Sequence, residues 1–484
     1  ITEMGGKNAI IVTANAELDE TVAGILYSAF GHAGQKCSAC SRVFVDNAVK
    51  DRLVARLKEA CLDIEVGEAY NFSTSLNPVI SLEDKKRLIS QVKAATEEAT
   101  KYNGIVHVDR TQEELPGYCV GPALIELPKE RALEEDSFAR RELFGPVVHI
   151  IGFDNIDEAI KMYNGTDYAL TGGAFSQSQD DIDYLTSRLE SGNIYINRSV
   201  TGARVAIEPF GGFKLSGTGP KAGSRSYLSS FHVNPCKVVT SSLDEELGSE
   251  YKFELSKPSN IESSLRVEFV KNSINDFIVQ YESIFSDLNG SDKEVLKNFR
   301  KWIEEKGLDY FTKESHNHVI PGQLSYNDYS LAEPNTLLIS YNERACFTTF
   351  INFLAALLSG TGVTILCRNE RSYTWWNNVV KTLFQNKVSD ENVDVFFASK
   401  SLVNEAIKNP EVRNIIVDGD LSSVKKVQNT CFDSVKTEKR MKNIISIYDC
   451  ADKNDFTRLC ESYVCVRAFA VNTMRHGAPM NLNL

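Results

Sequence analysis

The chain has 484 residues, of which 42% are hydrophobic and 24% are charged, and its formal net charge is −12. A globular chain of this length is expected to form about two or three domains. The negative charge, which no long basic run offsets, argues against nucleic acid as a partner, and no apolar stretch reaches the roughly 20 residues that span a bilayer. Eleven cysteines without a repeating frame suit a reducing compartment better than a disulfide scaffold.

The chain opens at Ile1 on a turn that leads into a strand, with neither an initiating methionine nor a targeting segment. We therefore expect the sequence to be a fragment whose earlier portion is absent. Any localisation signal would then lie upstream of Ile1.

In the first half, predicted strands and helices alternate along the chain. β-rich runs predict strands, and apolar residues at helical spacing predict amphipathic helices. The predicted elements are the strand Asn8–Thr13, the helix Leu18–Phe30, the strand Arg42–Asp46, the helices Lys50–Ile64 and Glu83–Tyr102, and the strand Val147–Phe153. This alternation predicts an α/β layered domain with a largely parallel sheet.

The second half repeats the pattern after a polar stretch, residues 241–263, that has the composition of a linker. The predicted elements are the strands Leu337–Ser340, Val363–Leu366, Val393–Phe397 and Ile415–Val417 and the helices Thr348–Leu358 and Trp375–Phe384. Such a run of βαβ units is typical of a Rossmann-like domain.

Three short segments of the first half carry residues that could perform chemistry: Glu3–Asn8 (EMGGKN), Gly34–Arg42 (GQKCSACSR) and Glu142–Pro146 (ELFGP). Each has a simple structural interpretation, because a free cysteine is more often a core residue than a nucleophile. The Cys37-x-x-Cys40 pair also leaves open a redox dithiol. A metal site is not expected, since no second pair or histidine pair completes a zinc ligand set.

Taken together, in this order and spacing, the three segments resemble the aldehyde dehydrogenase superfamily. The resemblance implies that Cys37 is the nucleophile, that Glu3 is the general base, that Glu142 holds the nicotinamide ribose and that Phe144 packs near the nicotinamide ring. A thiolate adds to the aldehyde carbon, and a carboxylate then activates the water that hydrolyses the thioester. We further expect Lys36 to help lower the pKa of the Cys37 thiol.

A glycine-rich segment, Pro209–Ser224 (PFGGFKLSGTGPKAGS), indicates which aldehyde is the expected substrate. It lacks the spacing of a Walker phosphate loop. With Ser28–Arg42 it is similar to the L-glutamate γ-semialdehyde dehydrogenases, also called 1-pyrroline-5-carboxylate dehydrogenases. Backbone N–H groups at Gly223 and Ser224 would hold the α-carboxylate of the substrate, because small side chains let a ligand approach the backbone. Ser38 and the Ser224 hydroxyl are expected as further donors, and Phe231 would pack on the aliphatic part.

The second half resembles a degenerate aldehyde-dehydrogenase-like domain at the C-terminus of the bifunctional proline utilisation proteins. Asn352–Leu366 looks like part of a cofactor-binding half. However, Cys367–Asn369 replaces the Lys-Pro-Ser motif, and Asp418–Asp420 stands near the pyrophosphate position, where carboxylates would repel that group. An unrelated α/β domain is the alternative.

The predicted organisation is α/β, an aldehyde-dehydrogenase-like catalytic domain followed by a Rossmann-like, degenerate domain. The predicted boundaries are 1–232 for the catalytic domain without its N-terminal NAD-binding half, 233–240 for an oligomerisation strand, 241–263 for the linker and 264–484 for the degenerate domain.

The function expected from this resemblance is NAD-dependent oxidation of L-glutamate γ-semialdehyde to L-glutamate in proline catabolism. FAD is expected only if a proline dehydrogenase module precedes residue 1. The expected partners are a small-molecule substrate and further copies of the chain, with neither nucleic acid nor a transmembrane segment. The expected location is the cytoplasm, or the mitochondrial matrix in a eukaryote.

Two other functions stay open: a dehydrogenase for another small aldehyde, such as succinate semialdehyde, and a non-catalytic scaffold. We also expect the isolated 484 residues neither to bind NAD productively nor to oxidise aldehydes, because the resemblance assigns most of the NAD-binding residues to the absent half.

Overall fold

The computed structural model describes residues 1–205, 207–224, 227–228, 231, 254–258, 265–274, 290–312, 315–320, 323–329, 335–384, 392–438, 442–446, 455–472, 474–475 and 478–479. The predicted oligomerisation strand, 233–240, lies outside these residues. So does the predicted linker, 241–263, except for residues 254–258.

The strands are β1 (Thr2–Glu3), β2 (Asn8–Val12), β3 (Cys40–Asp46), β4 (Ile105–Asp109), β5 (Ala123–Glu126), β6 (Val147–Phe153), β7 (Tyr168–Ala169), β8 (Thr171–Phe175), β9 (Asn193–Ile196), β10 (Phe213–Lys214), β11 (Gly217–Thr218), β12 (Ser315–Ile320), β13 (Gln323–Asp328), β14 (Asn335–Ser340), β15 (Gly362–Cys367), β16 (Val393–Phe397), β17 (Val412–Asp418), β18 (Asn443–Ser446), β19 (Arg467–Asn472), β20 (Met474–Arg475) and β21 (Ala478–Pro479).

The helices are α1 (Leu18–Phe30), α2 (Asn47–Asp63), α3 (Leu82–Lys101), α4 (Ile156–Asn164), α5 (Gln179–Thr186), α6 (Gly290–Trp302), α7 (Leu308–Thr312), α8 (Phe347–Ser359), α9 (Glu370–Phe384), α10 (Lys400–Lys408), α11 (Leu421–Glu438) and α12 (Phe456–Glu461). Short 3₁₀ turns cover Gly31–Gly34 and Lys129–Leu133, and a π-helical turn covers Ile303–Gly307.

Several helices begin at a side chain that satisfies an otherwise unpaired N–H group of the first turn. The hydroxyl of Ser81 accepts from the Asp84 N–H at 3.0 Å at the start of α3, and the Asn155 side chain accepts from the Glu158 N–H at 3.0 Å at the start of α4. Such caps fix where a helix starts. Carboxylates in the first turn of both helices add a favourable interaction with the helix dipole.

Most of the N-terminal unit, residues 1–224, is built on a sheet in the order β12-β13-β19-β9-β8-β2-β3-β6-β5-β4. The strands from β19 to β5 run parallel, and the antiparallel pairs lie at the two edges. The predicted largely parallel sheet is therefore confirmed. In β2, Ile10 and Val12 face one core cluster while Ala9 faces the opposite one, as expected for a strand buried on both faces.

Strands from the second half of the chain complete this sheet. β19 lies parallel to β9, with Ala468 opposite Asn193, and β13 and β12 extend the sheet beyond it. Phe469 and Val471 of β19 pack into one core cluster of the N-terminal unit and Ala470 into the other. The end of the chain is thus part of the hydrophobic core of the first half.

The C-terminal unit, residues 335–446, contains a parallel sheet in the order β16-β15-β14-β17-β18. This is the order of a Rossmann-like sheet. After β14 the chain adds β15 and β16 on one side of the sheet and then β17 and β18 on the other, so the strand order reverses between β14 and β17. Helix α8 is buried along nearly its whole length against this sheet, as its apolar sequence predicts.

Candidate functional site

The three chemical segments precede neighbouring strands of one parallel sheet. Glu3–Asn8 leads into β2, Gly34–Arg42 leads into β3 and Glu142–Pro146 leads into β6, and these strands lie side by side in that order. Because the amino ends of parallel strands share one edge of a sheet, the fold brings the three segments together. They form the candidate active site.

Two adjacent glycines join the segments. The Gly6 N–H donates to Glu142 Oε1 at 3.2 Å. A side chain on Gly5 would place Cβ 2.1 Å from Glu142 Oε2, and one on Gly6 would place Cβ 3.0 Å from the Cys37 carbonyl oxygen. Larger residues here would push the Glu142 carboxylate and the Cys37 loop away, so the glycines are required by close approach.

The loop that carries Cys37 is tightly turned and anchored. His32 and Ala33 adopt left-handed backbone angles, with φ of 56° and 55°. Gly34, at φ 67°, lies against Gly145, because a Cβ there would meet the Gly145 carbonyl oxygen at 2.2 Å. This contact fixes the Cys37 loop onto the Glu142–Pro146 segment. Cys37 itself is half-buried.

Glu3 reaches the site from a short antiparallel ribbon. It lies opposite Gly217 in the pairing of β1 with β11, and the next residue continues the contact through a Met4 N–H to Ser216 carbonyl bond of 2.9 Å. Partial burial raises the pKa of the Glu3 carboxyl, while the positive charge of Lys221 lowers it. The glycine-rich segment is therefore directly paired with the strand of the candidate base.

Burial, and then the negative charge of Glu3, raise the pKa of the Cys37 thiol, while the backbone N–H groups of Ser38 and Cys37 oppose the shift. The net shift of the Cys37 pKa is upward. Burial and Glu3 therefore outweigh the lowering that was expected from Lys36, the lysine that precedes Cys37 in sequence. Burial also raises the pKa of Glu142, which the Gly6 N–H and Lys7 oppose. The thiol and both carboxyls thus share one electrostatic environment.

The predicted substrate anchor has a defined geometry. Gly223 is left-handed, at φ 80°. The Ser224 N–H donates to the Lys221 carbonyl at 3.1 Å, so this N–H is engaged within the protein and the expectation of a free donor there is wrong. The Ser224 hydroxyl accepts from the Tyr227 N–H at 3.2 Å, which leaves its own proton to donate.

The remaining predicted residues lie around this site. Ser38 is buried and its carbonyl accepts from the Thr171 hydroxyl at 3.1 Å. Phe144 is 39% exposed, at φ 53°, and Phe231 is 69% exposed, with its ring 5.5 Å from that of Tyr227 in an edge-to-face contact. The charges of Glu3 and Glu142 thus both act on the Cys37 thiol, and both phenylalanine rings are exposed.

A cavity of about 450 Å³ lies between the glycine-rich segment and the second half of the chain. Gly219 and Ser224 line it from the first side, and Tyr329, Arg413 and Arg458 line it from the second. No cluster of His, Cys, Asp or Glu among the described residues could hold a metal ion, and no helix in the searched part of the chain is long and apolar enough to cross a membrane.

Residues 1–234 match the family described as "Aldehyde dehydrogenase family". This match covers slightly less than half of the 484-residue chain. Over 231 residues the chain is 38% identical to a 1-pyrroline-5-carboxylate dehydrogenase of Staphylococcus haemolyticus, which covers 48% of this chain and 43% of that protein. The chain thus spans less than half the length of this relative.

Two solved structures are also similar. A 1-pyrroline-5-carboxylate dehydrogenase from Thermus with bound NAD is 35% identical, with a TM-score of 0.44, over 47% of this chain and 42% of that one. Proline utilization A from Corynebacterium freiburgense is 24% identical, with a TM-score of 0.61, over 98% of this chain and 39% of that one. At that identity the second likeness shows the fold alone, and it extends over both halves.

Sequence reasoning missed two buried residues that hold the candidate active site together. The Asn8 amide donates to the carbonyls of Cys37, at 2.7 Å, and Ala39, at 2.9 Å, and its oxygen accepts from the Thr171 N–H at 3.1 Å. The buried Arg42 guanidinium donates to the Lys7 carbonyl at 2.6 Å. The available signal was a polar residue inside a strand that is otherwise apolar, since buried polar groups need partners.

Proposed function

We propose that this chain carries the catalytic machinery of an NAD-dependent L-glutamate γ-semialdehyde dehydrogenase of proline catabolism, with Cys37 as nucleophile and Glu3 as general base. The observation that carries the proposal is the half-buried Cys37 thiol, whose pKa is raised by the charges of two carboxyls, Glu3 and Glu142, from segments that meet at one sheet edge. A packing cysteine would need neither neighbour.

The proposed chemistry starts with the thiol. Because the pKa of Cys37 is raised, the thiol must lose its proton, to the solvent, as sulfur bonds to the aldehyde carbon. Bound NAD would supply the hydride acceptor that oxidation of the thiohemiacetal to the thioester requires. Glu3, whose pKa is raised, then takes a proton from water as the oxygen of that water attacks the thioester carbon, and this proton passes to the departing sulfur, which frees the carboxylic acid and returns the thiol.

Glu142 and Phe144 are the residues that would hold the nicotinamide end of the cofactor. One Glu142 oxygen accepts from the Gly6 N–H, which fixes the carboxylate, and the other lies over Gly5. A fixed carboxylate with a free oxygen fits ribose hydroxyls, which are hydrogen-bond donors. The partly exposed Phe144 ring can cover one face of a flat ring.

The choice of substrate is supported by the anchor. Ser224 lines the cavity of about 450 Å³, whose lining does not include Cys37 or Glu3, and its hydroxyl, which accepts from the Tyr227 N–H, keeps a proton to donate to a carboxylate. We expect Ser224→Ala to lower kcat/KM for L-glutamate γ-semialdehyde by roughly 10- to 100-fold, because a hydrogen bond to a charged group is lost. NAD-dependent oxidation by the protein as its cells make it is the measurement.

Propanal, which has no head group, is the control substrate, and its kcat/KM should change by less than about twofold. The wild-type protein should also prefer glutamate semialdehyde to succinate semialdehyde. An equal loss for propanal, or a preference for succinate semialdehyde, would contradict the assigned substrate.

We also propose that the region 264–484 is a degenerate aldehyde-dehydrogenase-like domain without a dinucleotide site. In a Rossmann-like sheet the ligand lies outside the carboxyl ends of the strands where the chain reverses, here between β14 and β17. That position contains the fully buried carboxylate of Asp418, which accepts from the Asn342 amide at 2.9 Å, the Thr349 hydroxyl at 3.0 Å and the Cys346 N–H at 3.4 Å.

Cys346 precedes the first residue of α8, so Asp418 occupies the helix N-terminus at which a phosphate would bind. The sequence predicted that the carboxylates of Asp418–Asp420 would repel a pyrophosphate. In this proposal the buried Asp418 carboxylate instead fills the position of the phosphate. Asp420 instead accepts from the Ser423 N–H at 2.8 Å in the first turn of α11. In this proposal the Asp418 side chain therefore blocks the position that a dinucleotide would occupy.

The buried Asp418 predicts a pH dependence of stability. Burial raises its pKa to about 6 in the folded protein, against about 4 in an unfolded chain. The folded state thus binds the proton more tightly, so the free energy of unfolding should fall by up to about 3 kcal/mol as pH rises from 4 through 6, and stay level above. Urea unfolding of Asp418→Asn should lack this fall.

Asp420→Asn is the matched control, because asparagine also caps a helix and the residue does not share the buried network. Its unfolding profile should follow that of the wild type. The same fall of stability with pH in wild type and in Asp418→Asn would show that another group titrates.

A further inference from the structure

Lys221 is a buried cation in the middle of the glycine-rich segment. Its ammonium donates to the carbonyl of Gly192, to Asn193 Oδ1 at 3.2 Å and to the Pro209 carbonyl at 3.4 Å. All three of its protons have a partner. The side chain therefore ties the start of β9 to both ends of the segment that carries the substrate anchor.

The neighbours of Lys221 strengthen this connection. Ala222 and Phe210 exchange backbone hydrogen bonds of 2.8 Å and 2.9 Å. The stem of Lys221 passes over Gly211, since a Cβ there would lie 3.3 Å from Lys221 Cγ. The residues immediately before Gly223 are thus held by the backbone hydrogen bonds of Ala222 and by the packing of the Lys221 stem. These contacts fix the backbone direction at Gly223 and Ser224, where the substrate anchor lies.

Lys221 also acts on Glu3 through its charge. Its ammonium lowers the pKa of the Glu3 carboxyl, and burial lowers the pKa of Lys221 to about 7 despite the opposing effect of Glu3. The other titratable groups that face this pair are Cys37, beside Glu3, and Cys465, beside Lys221. Below pH 7 the lysine is charged, and this is the range in which a carboxyl loses its proton.

We propose that Lys221 is a positioning residue that holds the substrate anchor in register with the strand that carries Glu3. The inference rests on the function proposed above. It assigns to one side chain a connection between the strand of the base and the anchor, which the short ribbon of β1 and β11 also joins.

Two substitutions separate the charge from the hydrogen bonds. Lys221→Gln keeps amide donors for the carbonyls but removes the charge, and Lys221→Met removes both. We expect hydrolysis of p-nitrophenyl acetate by the 484-residue chain to lose activity roughly three- to tenfold on the acid limb of its pH profile in both variants, with less than about a twofold change on the plateau. Without the cation, Glu3 is protonated at higher pH.

The anchor is tested separately by protection of Cys37 from iodoacetamide by L-glutamate, the proposed product. Lys221→Met should need roughly fivefold more glutamate for half-protection, and Lys221→Gln less than about twofold more. Lys50→Gln is the matched control, because that lysine lies in α2, outside the glycine-rich segment, and pairs with Glu126 at 2.7 Å. Its pH profile and its protection should match the wild type.

The possible results distinguish the two levels of the argument. A pH profile in Lys221→Gln identical to that of wild type, with Glu3→Gln still defective, would overturn the role of Lys221 and leave the proposed base intact. If Glu3→Gln hydrolyses the ester as fast as wild type, the proposed base itself is wrong. A shift of the acid limb in both Lys221 variants, absent in Lys50→Gln, supports the inference.

Discussion

Replacement of Cys37 by alanine is expected to lower hydrolysis of p-nitrophenyl acetate by roughly 10⁴-fold or more, because the covalent route loses its nucleophile. An activated ester reaches the same thioester state without a cofactor, so the 484-residue chain itself can be assayed. The half-buried thiol and the adjacent Glu3 are the reason to expect that this sulfur reacts in preference to the buried ones.

Cys40→Ser is the matched control for this prediction. Cys40 is buried, burial raises its pKa to about 12, and its sulfur lies 3.3 Å from the Arg42 carbonyl, to which a serine hydroxyl can also donate. The variant should keep activity within about threefold. A loss as large as in Cys37→Ala would favour the alternative of a Cys37–Cys40 redox dithiol.

Glu3→Gln is expected to change two reactions of Cys37 in opposite directions. Ester hydrolysis should fall by roughly 10²- to 10⁴-fold, because the water that attacks the thioester loses its base. Alkylation by iodoacetamide at neutral pH should become faster, by up to roughly tenfold, because the carboxylate that raises the pKa of the thiol is gone.

Because ester hydrolysis and alkylation are expected to change in opposite directions, the result distinguishes the loss of one charge from misfolding. A misfolded variant would lose hydrolysis and change alkylation without regard to pH, whereas removal of one charge shifts the alkylation profile along the pH axis. Glu142→Gln is the comparison, since Glu142 is a weaker influence on the Cys37 thiol than Glu3. Slower alkylation in Glu3→Gln would contradict the electrostatic arrangement of the site.

The local elements could be predicted from sequence because each depends on its own pattern. The predicted strand Val147–Phe153 matches β6, and the predicted helix Lys50–Ile64 begins three residues late against α2 (Asn47–Asp63), because the cap is Asp46, whose carboxylate accepts from the Ala48 N–H at 2.9 Å. Periodicity locates a buried face well, whereas a helix end is set by a single hydrogen bond.

Pairing between distant segments could not be predicted in this way. β19 has an ordinary apolar sequence, and nothing in it specifies β9 as its neighbour. Strand partners are chosen by the packing of the whole sheet, which a local pattern does not contain. For the same reason the continuation of the first sheet into the second half of the chain appeared only with the structure.

In the candidate site, the motifs identified the residues but not their electrostatics. Lys36 precedes Cys37 in sequence, yet the thiol responds first to burial and to Glu3 from another strand. Lys221 lies within the glycine-rich segment, but its three acceptors come from the start of β9 and from Pro209, which only the fold brings together. Side-chain direction and desolvation are tertiary properties, so charge effects were the least predictable part of the site.

The most direct test of the central claim is acid-quench mass spectrometry of the 484-residue chain during hydrolysis of p-nitrophenyl acetate. We predict a transient acetyl group on the peptide that contains Cys37, and its accumulation in Glu3→Gln, where thioester formation continues and hydrolysis is slow. Acetylation at other residues, with turnover preserved in Cys37→Ala, would contradict the assignment of this sulfur as the nucleophile.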